Sequence, residues 1–135
     1  MNKRKGFTLI ELLVVIAIIG LLSTLAVVAL NNARAKSRDA ARVSDVRQLQ
    51  TALELYYADM NGYPAAANVD LTTGTGVLVG SGETYMGKIP TNPAPNGTTY
   101  SYATTANGYS IVFSIESGAG GLGTGVHTAS EVGIK

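Results

Sequence analysis

The chain has 135 residues, with ten Lys and Arg against nine Asp and Glu, a formal net charge of +1, and 46% hydrophobic residues. It has no Cys, which excludes disulfides and thiolate metal sites, and its near-neutral body suggests no nucleic-acid partner. Its length allows one domain with at most one appended element.

The charge is unevenly placed. Lys3, Arg4 and Lys5 supply three of the ten cations, and without the first six residues the balance is seven basic against nine acidic. From Leu12 to Leu30 there follow nineteen residues without a charge, nearly all Leu, Val, Ile or Ala. As a helix they cover roughly 28 Å, close to the thickness of a bilayer's hydrocarbon core. Basic residues stay on the cytoplasmic side, so the tail is expected inside and the bulk of the chain outside.

Residues 7 to about 60 read as one long helix, apolar all round at first and amphipathic later. In the second part Val43, Val46, Leu49, Leu53, Tyr56 and Met60 form one stripe of a 3.6-residue period. Arg38, Asp39, Arg42 and Asp45 fall mostly off that stripe and are expected to pair at i,i+3 spacing. Asn61-Gly62, with Pro64 beyond, predicts the helix stop.

Residues 63–98 carry all four prolines and a Gly/Thr stretch, and predict a connecting loop with one short strand around Val77 to Val79. Asn107-Gly108 is the favoured pair for a type I′ hairpin turn. With these two residues as the turn, Thr104 faces Ile111, Tyr102 faces Phe113 and Tyr100 faces Ile115, an aromatic and β-branched face. After a Gly-rich loop, Val126 to Ile134 predicts a third strand. The expected fold class is α+β: a long N-terminal helix whose C-terminal half packs on a small antiparallel sheet.

Several motifs carry no chemistry. Gly118-x-Gly120-x-x-Gly123 matches a dinucleotide fingerprint as a string, but no convincing helix follows to receive a pyrophosphate. His127 is the only histidine, without a second ligand or triad partner, and is expected on a strand or the surface. Asn96-Gly97-Thr98 is a glycosylation sequon by composition alone. Tyr100, Tyr102 and Tyr109 are explained by hairpin packing rather than by stacking on a ligand. No catalytic residue, metal site or cofactor is expected.

Glu11, a carboxylate just inside the apolar run, has two readings. Thr8-x-x-Glu11 fits a capping box that satisfies free amides of the first helical turn. The full stretch KGFTLIELLVVIAIIG resembles the N-terminus of the type IV pilin superfamily, which includes the pseudopilins of type II secretion. That resemblance implies cleavage by a prepilin peptidase between Gly6 and Phe7, N-methylation of Phe7, and a filament-assembly role for Glu11 beside the new amino group of a neighbouring copy's Phe7. It divides the chain into a leader (1–6), a transmembrane and filament-core helix (7–30), an amphipathic helix (31–62) and a globular head (63–135).

The implied function is that of a structural subunit of a type IV pilus, not an enzyme. Its partners would be further copies in a helical filament, the membrane before assembly, the peptidase and methylase, and an assembly platform. The prepilin would span the cytoplasmic membrane once and then join a filament at the cell surface. Two departures qualify the resemblance. Val28 stands in a stretch where many relatives carry a helix-bending proline, which leaves Gly20 as the point of helix loosening. Between Ser117 and Gly125 there is no Asp or Glu, so the calcium loop of major pseudopilins is not expected. The alternatives are a pseudopilin of a secretion or DNA-uptake system, a membrane-anchored binding module that does not polymerise, and a secreted protein cleaved after Ala35.

Overall fold

In a computed structural model describing residues 6–69, 71, 78–96 and 98–135, Thr8 caps a single helix, α1, spanning Leu9–Met60. The leader through Lys5, residues 72–77 of the Gly/Thr stretch and Gly97 of the sequon lie outside the described residues. The helix starts two residues later than expected because Thr8 supplies the cap. It stops where expected: Asn61 adopts φ 52°, and its amide bonds the Tyr57 carbonyl at 2.8 Å. The chain divides into two compact units, Met1–Arg34 and Ala35–Lys135.

The first unit exposes its apolar surface. Among the described residues, α1 alone is long and apolar enough to cross a membrane, and its apolar window is 0% buried.

In the second unit α1 buries Val43, Val46, Leu49, Ala52 and Leu53, the predicted stripe with Ala52 added. Tyr56 is half-buried and Met60 is exposed, so the stripe leaves the core one turn early. Six strands follow: β1 (Leu78–Gly80), β2 (Glu83–Met86), β3 (Ser101–Thr105), β4 (Gly108–Ile115), β5 (Gly125–Ser130) and β6 (Gly133–Ile134). They form an antiparallel pair β1-β2 and an antiparallel sheet ordered β3-β4-β5-β6. Tyr100, Tyr109, Ile111, Phe113, Ile115 and Ala129 pack with the helix stripe, Leu78 and Ile89 in one core. Each large apolar side chain so buried contributes on the order of 2 kcal/mol. This is the α+β architecture that the patterning predicts.

The structure corrects three details. The turn between β3 and β4 is Ala106-Asn107, with Thr105 paired to Gly108 and Tyr102 to Ile111, a register two residues from the one expected. A two-residue shift preserves side-chain parity, so Tyr102, Ile111, Phe113 and Ile115 still face inward. Gly108 is a strand residue, set where an added Cβ would lie 2.9 Å from the Glu131 carboxylate.

The loop over 63–98 holds a full hairpin rather than a single strand. Its turn is Ser81-Gly82, with φ 50° and 87°, the positive pair that a type I′ turn requires. The expected third strand is broken at Glu131-Val132 into β5 and β6, paired through Ala129–Ile134 and Ser130–Gly133.

Candidate assembly end and the head that carries it

At the start of α1 the side chains of Thr8 and Glu11 cap each other. The Thr8 amide donates to Glu11 Oε2 at 2.8 Å, the Thr8 hydroxyl donates to the same oxygen at 2.6 Å, and the Glu11 amide donates to Thr8 Oγ1 at 3.3 Å. The Leu12 amide bonds the Thr8 carbonyl, which places Thr8 at the N-cap and Glu11 at the third helical position. Both side-chain bonds use Oε2. Oε1 makes no bond to a described residue, and the carboxylate faces outward, as does Phe7 at 77% exposure.

Capping does not explain the surface that follows. The large apolar residues Leu9, Ile10, Leu12, Leu13, Ile18, Leu21 and Leu25 are all exposed, a continuous apolar face far larger than a water-soluble monomer presents. Nothing lies within 4 Å of a Cβ built on Gly20, so no contact within the chain demands glycine there. Thr24 hides its hydroxyl by donating to the Leu21 carbonyl at 2.8 Å, as a polar group in an apolar medium must. Gly6 and Phe7 stand just ahead of this helix and Glu11 in its first turn.

The second unit is tied together by charges that the sequence placed on the surface. Asp39 and Arg42 are completely buried. The Asp39 carboxylate accepts the amides of Glu116, Ser117 and Gly118 and the Ser117 hydroxyl, at 2.6 to 3.1 Å. Burial raises its pKa, but those bonds outweigh it and hold the group below its ordinary value. Arg42 donates to Asp39 at 2.7 Å, to Asn92 Oδ1 at 2.6 Å, and to the carbonyls of Pro93 and Asn96. It also meets Glu116 at 2.6 Å. Arg38 grips Glu116 through two N–H donors at 3.0 and 2.8 Å. That grip, with Asn96 and Arg42 behind it, pulls the Glu116 carboxyl down to about 2 against the opposing effect of burial.

The predicted Arg42–Asp45 pairing is absent. Asp45 instead accepts the Tyr100 hydroxyl at 3.1 Å. Sequence reasoning missed this lock because its partners, side-chain and backbone groups alike, lie 50 to 79 positions away. The one available signal was Asn92 and Pro93 beside a helix rich in alternating charge.

The Gly-rich loop closes on the helix. Gly120, at φ 61°, sits where a Cβ would meet Val43 at 3.1 Å, which accounts for glycine there without any phosphate. His127 lies on β5, its ring nitrogens near the carbonyls of Gly123 and Lys135. Among the described residues no group of three His, Cys, Asp or Glu side chains is arranged to hold a metal.

The family model described as "Prokaryotic N-terminal methylation motif" matches residues 1–27. The chain is 43% identical over 63 residues to the type II secretion system core protein G of Escherichia coli (strain K12), covering 47% of this chain and 43% of that one. With the protein of the same description from Vibrio cholerae it shares 36% over 95 residues, covering 70% and 56%. With the type IV major fimbrial protein FimA of Dichelobacter nodosus it shares 43% over 56 residues, covering 42% and 36%. The chain thus spans about half the length of the curated relatives it matches. No solved structure matches it.

Proposed function

For this chain, a member of the type IV pilin and pseudopilin superfamily, we propose the role of structural subunit in a helical filament drawn from the membrane. The observation that carries the proposal is the fully exposed apolar helix entered through Gly6-Phe7-Thr8-Leu9-Ile10-Glu11. Before assembly bilayer lipid covers that surface; afterwards the apolar helices of other copies do. Each copy contacts its neighbours through different faces, the heterologous arrangement that builds an open helix.

Cleavage after Gly6 frees an amino group on Phe7, which is then N-methylated. A carboxylate in an apolar medium is costly unless paired. Glu11 finds its counter-charge in the amino terminus of an adjacent copy, with Oε1 turned outward to receive it while Oε2 keeps the Thr8 bonds. Gly20 lets the apolar helix loosen as it leaves lipid. Residues 1–6 are the leader, 7–30 the anchor and filament core, 31–62 the amphipathic helix and 63–135 the head. The partners are further copies, the peptidase and methylase, and an assembly platform. The location is the cytoplasmic membrane first and a filament outside it afterwards.

A secretion-type pseudopilus is favoured by the reach of the similarity. The match to the Vibrio cholerae core protein G covers 95 residues and passes beyond α1, whereas the match to FimA covers 56. A type IV pilus is favoured by the loop from Ser117 to Gly125, which has no carboxylate for calcium. Electron microscopy of cells separates them: long surface fibres containing this chain identify a pilus, and short ones confined to the envelope a pseudopilus.

Mass spectrometry of the mature chain tests the shared reading. The expected N-terminus is N-methylated Phe7; an intact Met1 or a start at Lys36 overturns it.

A further inference from the structure

We infer that the groove between residues 47–54 of α1 and the β5–β6 turn is a socket for the ammonium group of Lys36 on another copy of this chain. The inference rests on the filament reading and names a contact within it. The groove, about 420 Å³, is lined by Arg47, Gln50, Glu54, Tyr109, Ser130 and Glu131.

Tyr109 is only 4% exposed, yet its hydroxyl has no hydrogen-bond partner. Beside it Gln50 is occupied, donating to the Ser130 carbonyl at 2.8 Å. Tyr63 stacks edge-on to Tyr109 with ring centroids 4.8 Å apart, and its hydroxyl donates to Glu54 at 3.1 Å. Glu131 is anchored at the Tyr109 amide, 3.4 Å away. Arg47 directs its guanidinium toward Gly120, and no ion pair joins it to Glu54 or Glu131. The groove thus offers two carboxylates to the N–H donors of a lysine, with the unpartnered Tyr109 oxygen buried at its wall. Tyrosine rings at its wall add cation–π attraction.

Glu54 and Glu131 outnumber Arg47 among the charged groups of the groove. The last turn of α1 carries Asp59 and no basic residue, so its carboxylate adds to the negative end of the helix dipole. From Ala35 onward the chain has six basic residues and eight acidic. Arg38 and Arg42 are already committed to Asp39 and Glu116. Lys36 is exposed on α1 and has no ion pair among the described residues. It stands eighteen positions before Glu54, about 27 Å along the axis, out of reach of its own groove. A parallel copy displaced by that distance brings its Lys36 level with Glu54 and Glu131.

The chain has no cysteine, so introduced pairs report cleanly. In cells making filaments, Lys36→Cys combined with Glu131→Cys is expected to give a ladder of covalent oligomers on oxidation, and neither single variant gives one. Glu131→Lys or Lys36→Glu alone is expected to lower polymer yield at least about tenfold, from like charges placed together. The double reversal restores it. Normal polymer from both single reversals with no ladder overturns the socket while leaving the filament reading intact. A ladder formed with Lys88→Cys in place of Lys36→Cys assigns the groove to a different contact and also overturns it. Absence of polymer from the unaltered chain defeats the filament reading itself.

Discussion

Arg42 and Asp39, one turn apart on the helix, meet at 2.7 Å with both side chains at 0% exposure. Around them the helix, the Asn92–Asn96 segment and the Glu116–Gly118 corner converge on one buried network. Removing the arginine leaves the buried Asp39 with neutral donors and no paired cation, while Glu116 keeps Arg38. Breaking a buried pair in this way costs about 3–5 kcal/mol. Arg42→Met is expected to lower the unfolding free energy of the detergent-solubilised chain by that amount. Arg42→Lys should recover little of it, since a single ammonium cannot span Asn92, Asp39 and Glu116 together. Urea titration followed by tyrosine circular dichroism measures both; a loss under about 1 kcal/mol for Arg42→Met contradicts the network's role.

The same network sets the acid limit. Glu116 is held at about 2 and Asp39 below its ordinary value. A depressed carboxylate contributes stability that is complete above its unfolded pKa and disappears as pH falls through its folded one. Head stability should therefore hold from neutral pH to about pH 4.5 and decline between there and about pH 2. Arg38→Gln is expected to move that decline to higher pH, because the arginine is the largest contributor to the shift. A profile unaffected by Arg38→Gln runs against this assignment.

The cation of this corner is a guanidinium, with oxygens of Asn92, Pro93, Asn96, Asp39 and Glu116 around it. A ligand that binds only the native state raises the melting temperature in proportion to its occupancy. Neither a chelator nor millimolar calcium should move this chain's Tm. A shift of several degrees with calcium would show a metal site in the head.

Two strand glycines are held by close approach to different kinds of neighbour. A Cβ at Gly80 would meet the Tyr56 ring at 2.6 Å, whereas one at Gly108 meets the movable end of Glu131 at 2.9 Å. Gly80→Ala is expected to cost about 1–3 kcal/mol by overpacking against the ring. Gly108→Ala should cost clearly less, because the Glu131 carboxylate can swing aside. Thermal unfolding of the two variants side by side checks the order; the reverse order would mean that the ring yields and the carboxylate does not.

What the sequence made legible follows from the range of each interaction. The helix, its stop at Asn61 and the inward parity of Tyr102, Ile111 and Phe113 are local periodicities, so they could be read directly. The Asn107-Gly108 turn was misplaced because Gly108 satisfies a packing demand from Glu131, twenty-three positions on. Ser81-Gly82, the pair that does take positive φ, has a weaker signature than Asn-Gly. The buried fate of Asp39 and Arg42 was illegible because an i,i+3 charge pair looks the same on a solvated face. At the N-terminus both readings of Glu11 began from the same residues; the capping bonds are present, and they leave one carboxylate oxygen outward.

That overlap makes Glu11→Gln the most direct test. Glutamine keeps the capping-box bonds to Thr8 but removes the charge. Polymer recovered from cells carrying Glu11→Gln, at unchanged membrane level of the subunit, should fall at least about tenfold, the loss of an ion pair worth over 1.4 kcal/mol in an apolar surround. Polymer at the unaltered chain's level would reduce Glu11 to a helix cap and contradict its pairing with Phe7 of a neighbouring copy.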